Sequence, residues 1–188
     1  ALPIFTQETS LVSAFGIART AGTVNEDFDL DLYNDGADSG FPTVQGRLAL
    51  ATKLLTKKHT VVGVSGHWGK EEYDLKEHPI LPNKSQKRVK TWSVNGDFLV
   101  PITDFMELKS EVFAGYNLDD YFGGILQGVN PLSGNPIKSI GGWMQLKVAQ
   151  SDKLKYHVGF GIDDPRNSDL NDGMRSRNSV YFGNVVYS

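Results

Sequence analysis

Glu107 and Glu111 are the side chains whose type and spacing come nearest to chemistry. Two carboxylates on one strand face could serve as the acid and base of a glycosidase. Lys109 stands between them on the same face, and residues two apart on a strand are separated by only about 7 Å. A neutralised polar wall is therefore the better reading, and no catalytic residue is assigned. Asp27, Asp29, Asp31, Asn34, Asp35 and Asp38 form an acidic cluster with the alternate oxygens of a calcium loop. The glycine such a loop needs at its sixth position is Leu32, and no bidentate Glu closes it, so an acidic surface loop is expected. A second cluster, Asp163, Asp164, Asp169 and Asp172, reads the same way. His59 and His67 are too far apart along a strand to share a metal, and His78 falls in a loop. Lys84, Lys87, Arg88 and Lys90 make a local basic run, suited to a solvated loop or to attracting anions. There is no nucleophile elbow, phosphate loop or zinc motif, and neither a cofactor nor a metal is implied.

The elements that carry these residues are strands. Period-2 alternation of apolar and polar side chains runs through residues 43–51, 59–68, 91–101, 106–117, 140–148, 155–162 and 180–187, with a weaker first strand at 11–18. No segment holds a helical stripe. Tight polar turns at 55–58, 103–105 and 151–153 alternate with long loops at about 19–41, 69–87, 117–138 and 163–177. Parity puts the tight turns at one end and the long loops at the other. A transmembrane β-barrel is laid out in this way. The expected fold is all-β: an antiparallel up-and-down meander of about eight strands forming a transmembrane β-barrel, one domain over residues 1–188.

Composition permits this. The chain has 188 residues, a net charge of −3, no cysteine, 20 glycines and 11% aromatic residues. The charge argues against a nucleic-acid partner, and the missing cysteines exclude a disulfide framework. No run approaches the roughly 20 apolar residues of a membrane helix, which says nothing against barrel strands. Beginning at Ala1 with no signal peptide, the chain is expected to be a mature product or a piece of a longer one.

Alternation alone does not say which face meets water. A soluble β-barrel or β-sandwich, binding a ligand or carbohydrate, buries its apolar face. A membrane barrel turns that face to lipid. The one-sided long loops favour the membrane reading. So do Trp68, Trp92, Tyr116, Tyr156 and Tyr187, placed near strand ends on the apolar face like an interfacial girdle. The polar face would then line a pore through Arg47, Asp97, Glu107, Lys109, Glu111, Lys147 and Lys155.

Several stretches carry a family resemblance. Gly142, Trp143, Met144, Gln145 and Leu146 lead through a turn to His157–Pro165, with Gly159, Gly161, Asp163 and Asp164, and then to Arg177, Asn178, Asn184 and Val185. Residues 42–48 and 62–66 resemble an earlier strand pair. Together they resemble Gram-negative outer-membrane porin-like proteins. The resemblance implies location in the bacterial outer membrane, contact with lipid and lipopolysaccharide, often a homotrimer, and a passive pore for small hydrophilic solutes or ions. Such porins commonly have more strands and end on an aromatic residue, whereas this chain stops at Tyr187 and Ser188. Part of a larger barrel is the simplest expectation.

Overall fold

The computed structural model describes residues 9–19, 39–73 and 87–187. Eight strands follow one another in a single sheet: β1 (Thr9–Ala18), β2 (Thr43–Lys53), β3 (His59–Tyr73), β4 (Lys87–Pro101), β5 (Met106–Tyr116), β6 (Lys138–Ala149), β7 (Leu154–Pro165) and β8 (Asn178–Tyr187). Each pairs antiparallel with the next, in the order β1 to β8. The fold is therefore an all-β up-and-down meander, as the alternation predicts. It differs from the expected barrel in one respect. The sheet is not closed, and β1 and β8 are its two edges.

Tight connections at 54–58, 102–105 and 150–153 lie at one end. They are held locally: Thr103 Oγ1 accepts from the Met106 amide at 3.0 Å, and Ser151 Oγ accepts from the Leu154 amide at 3.1 Å. Two long strands differ from the sequence expectation. The segment at 69–87 was expected to be all loop, yet β3 continues to Tyr73 and β4 starts at Lys87. Lys70, Glu72, Arg88 and Lys90 put charge on the face that is apolar further along β3 and β4, which is why periodicity misses them. Glu72 and Arg88 are instead paired across the strands, at 2.6 Å.

The apolar side of the sheet is bare. Val64, Val94 and Val112 at mid-strand are 51%, 56% and 55% exposed. Val62, Ile140, Met144 and Val158 share that face and are exposed as well. Buried hydrophobic residues among those described are few: Ala49, Val89, Leu118, Val129 and Ile137. The opposite face carries the burial, through Thr43, His67, Thr91, Ser93 and Ser139. A soluble sheet distributes its burial the other way.

An aromatic row crosses the apolar face at its loop end. Trp68, Trp92 and Tyr116 are direct cross-strand neighbours, and the Trp92 and Tyr116 rings are 5.5 Å apart. Phe41 meets Trp68 edge-on at 4.8 Å. The ammonium of Lys70 lies 5.3 Å from the Phe41 ring, and that of Lys138 lies 5.8 Å from Tyr116. Counted from Tyr116 in this row, β5 has 11 residues. At about 3.4 Å per residue and a tilt of about 45°, such a strand covers a band about 25 Å tall.

Candidate functional site: a polar face covered by a loop

Register places all seven sequence-nominated residues on one face. Arg47 stands opposite Ser65, Gly63 opposite Asp97, and Asp97 opposite Glu111. Glu107 stands opposite Lys147, Lys109 opposite Gln145, and Lys147 opposite His157, one alternation from Lys155. Sharing a face does not bring them into one cluster. Arg47 forms a two-pronged ion pair with Asp97, Nε to Oδ1 at 3.2 Å and Nη2 to Oδ2 at 2.5 Å. Lys147 and Glu107 approach to 3.8 Å. The Lys109 ammonium lies 5.6 Å from the Trp143 ring. Glu107 and Glu111 are four residues apart along β5, about 13 Å, too far for the roughly 5–9.5 Å of a glycosidase pair.

The Arg47–Asp97 pair reaches from β2 to β4 across β3, and the residue beneath it is Gly63. A Cβ there would stand 2.5 Å from Asp97 Oδ1 and 2.6 Å from Arg47 Nη2. The absent side chain makes room for the pair.

Residues 117–137 fold over this face, a placement the sequence reading left open. The Thr91 hydroxyl donates to the Asn117 carbonyl at 2.7 Å. Its single proton is thereby used, so at 2.9 Å it accepts from His67 Nε2–H. His67 Nδ1 is then the acceptor for the Ser93 hydroxyl at 2.8 Å, and Ser93 Oγ accepts from Asn95 Nδ2 at 3.2 Å. A neutral ring protonated at Nε2 satisfies this whole chain of bonds. Tyr121 stacks on the same imidazole: its ring lies 3.7 Å from that of His67, inclined by 13°. The Asn117 side-chain amide also donates to the Glu71 carboxylate.

The loop holds a shape that costs energy. Asn117, Phe122, Ile125 and Leu126 all have positive φ, between 54° and 61°. For a branched residue such as Ile125 this is a strained conformation, about 1–3 kcal/mol. Fixed partners oppose the strain. The Ile125 amide donates to Asp163 Oδ2 at 2.8 Å, and Ser139 Oγ donates to Asp163 Oδ1, also at 2.8 Å. Asn130 joins the loop to the segment after β7: its Nδ2 donates to the Asp169 carbonyl, and its Oδ1 accepts from Asn171 Nδ2, both at 2.8 Å. The Lys138 amide donates to Asp169 Oδ2 at 3.1 Å, and Asp164 pairs with Arg177 at 2.8 Å. Three acids of the second cluster thus anchor loops.

Within the loop, Asp119 and Asp120 sit in a single 3-10 turn. Asp119 is 3% exposed, and none of the four carboxylate oxygens has a hydrogen-bond partner among the described residues. Burial, and then the Asp119 charge, push Asp120 up to about 7. Burial first, with Glu71 and Asp120 nearby and a hydrogen bond with Thr43 opposing, raises Tyr121 as well. No group of three His, Cys, Asp or Glu side chains among the described residues is placed to hold a metal ion. The acidic cluster at 27–38, His78 and Lys84 lie outside the described residues.

Beneath the loop is a cavity of about 480 Å³. Gln45, Arg47, Ser65, Ser93, Asn95 and Tyr121 are among its walls. His67, Thr91, Asn117 and Tyr121 are the residues that sequence reasoning missed as a unit. The available signal was the polar-face position of His67 and Ser93, each with a small polar neighbour two residues away.

The fold and site define an antiparallel up-and-down sheet with one bare apolar face and one polar face roofed by a loop. Comparison of the chain with protein-family models, with curated proteins and with solved structures finds no match.

Proposed function

We propose that this sheet is wall of an outer-membrane porin-like β-barrel, through which small hydrophilic solutes or ions diffuse passively. The observation that carries the reading is the inverted sheet: mid-strand Val64, Val94 and Val112 are bare while Thr91 and His67 on the opposite face are covered. Lipid is the environment in which such an apolar band is stable. The aromatic row with its flanking lysines fits the interface, where an apolar ring with a polar tip is favoured. The polar face would line the lumen, and residues 117–137 would narrow it. Selectivity would arise from Arg47, Lys109, Lys147 and Lys155 set against Asp97, Glu107 and Glu111, without covalent chemistry. The bare edges of β1 and β8 need strand partners in a closed barrel. Lipid, lipopolysaccharide and a homotrimeric partner belong to the same proposal.

A soluble ligand-binding β-barrel or sandwich is the rival, and it buries the same apolar face, so the need for detergent separates the two. A chain monodisperse in buffer without detergent refutes the membrane reading. Val64→Lys tests the lipid-facing midpoint itself: it should cost about 2–4 kcal/mol in equilibrium guanidinium unfolding from phospholipid vesicles. A loss within about 0.5 kcal/mol, as at a water-facing surface, also refutes that reading.

A further inference from the structure

We infer that the cavity under residues 117–137 selects neutral, hydroxyl-rich solutes of sugar size over anions of the same size. This rests on the pore reading and specifies its solute. Among the described residues, two charged side chains reach the cavity wall, Arg47 and Glu111. Arg47 is forked onto Asp97, and the bonds of His67 suit a neutral ring. Glu111 is an exposed acid. An entering anion would lose hydration, find the Arg47 charge already paired and face the Glu111 carboxylate.

What the wall does offer is neutral hydrogen bonding. Asn95 uses its Nδ2 on Ser93 and Ser65, at 3.2 and 3.3 Å, which leaves its carbonyl oxygen to accept. The Ser65 oxygen accepts from Asn95 and keeps its own proton to donate. Gln45 is exposed on the same cavity wall, with its amide next to Gly16. The same cavity is lined by an aromatic ring. Tyr121 has one ring face stacked on His67 at 3.7 Å, yet is 39% exposed, so its other side is open. A pyranose has C–H faces to lie on such a ring and hydroxyls at its edge for amides and serine. An apolar solute would strand the amides, and an ion would leave the ring unused. The cavity of about 480 Å³ is within the size range of small-ligand sites.

The test uses the full chain in planar bilayers, with the KCl current recorded while glucose, maltose or gluconate is added. Glucose and maltose are expected to block the current in a concentration-dependent way, and gluconate to block far less. Tyr121→Ala should raise the half-blocking maltose concentration about tenfold, the loss expected for one stacked ring. Tyr121→Phe should keep the block, and Gln45→Leu should weaken it should the alanine variant fail to fold. Conductance without sugar block, or equal block by gluconate, overturns the solute assignment and leaves the pore reading standing. Absence of KCl conductance overturns both.

Discussion

Thr91→Val tests how the loop is held over the polar face. Thr91 is 0% exposed, and its hydroxyl is the joint between strand and loop. It donates to the Asn117 carbonyl at 2.7 Å and is bonded to His67 Nε2 at 2.9 Å. Valine puts a methyl of nearly the same volume there. Packing is preserved, so the change isolates the hydrogen bonds. The Asn117 carbonyl loses the Thr91 donor, and His67 Nε2–H is left facing carbon where water does not reach. Stranding one buried polar group costs about 1–3 kcal/mol. That cost falls on the closed loop and lowers the free energy needed to open it. The amides of Asn117, Tyr121 and Gly123, bonded at 3.0, 2.9 and 2.9 Å, report the opening. Their hydrogen exchange in detergent micelles should quicken about 5–150-fold. Amides between β6 and β7 should not change, and Thr91→Ser should restore protection. Unchanged exchange in the loop, or equal quickening in β6 and β7, would refute the role given to this hydroxyl.

Gly63→Ala should break the Arg47–Asp97 fork, because its Cβ would stand 2.5 Å from Asp97 Oδ1. Thermal unfolding should show a coupling of up to about 1 kcal/mol that disappears in an Asp97→Ala background; equal effects in both backgrounds would count against the pair. Asp120, raised to about 7 by burial and Asp119, binds its proton more tightly folded than unfolded, so stability should fall as pH rises from about 4 to 7 and level off above. Loop protection, measured relative to the intrinsic exchange rate at each pH, should therefore be higher at pH 5 than at pH 8, and Asp120→Asn should flatten that profile and raise protection at pH 8.

Strand positions were legible wherever one face is apolar. The alternation at 155–162 becomes β7 at Leu154–Pro165, and that at 106–117 becomes β5 at Met106–Tyr116. Legibility ends where the apolar band ends. Glu72 and Arg88 extend β3 and β4 by cross-strand charge pairing, which leaves no period in hydrophobicity. The nominated lumen residues share a face because parity is a local property, readable within each strand. Their pairing is not local: Arg47 meets Asp97 across an intervening strand, and nothing in either segment announces that Gly63 lies between. The loop is illegible for the same reason. Asn117 is positioned by Glu71 and Thr91, both distant in sequence. Nor could alternation say that the sheet would be open at β1 and β8, since closure depends on how far a sheet curves.

The glycines show how the polar face accommodates bulky neighbours. On that face, side chains from neighbouring elements crowd into the space where a glycine Cβ would stand. Arg47 and Asp97 fill it at Gly63, Phe113 at Gly141 with its Cζ at 2.5 Å, and Phe182 at Gly159 with its Cε1 at 2.6 Å. Leu118 of the loop does so at Gly115, at 2.9 Å. On the apolar face, Gly46, Gly96 and Gly183 meet nothing nearer than 3.5 Å, whereas Gly66 and Gly142 are crowded chiefly by the Ser93 and Glu111 backbone oxygens. Backbone approach therefore fixes glycine on the apolar face, and on the polar face small residues let bulky neighbours lie flat without blocking one another. In the barrel proposed above, that polar face would be the inner one, and the valines would point outward to lipid.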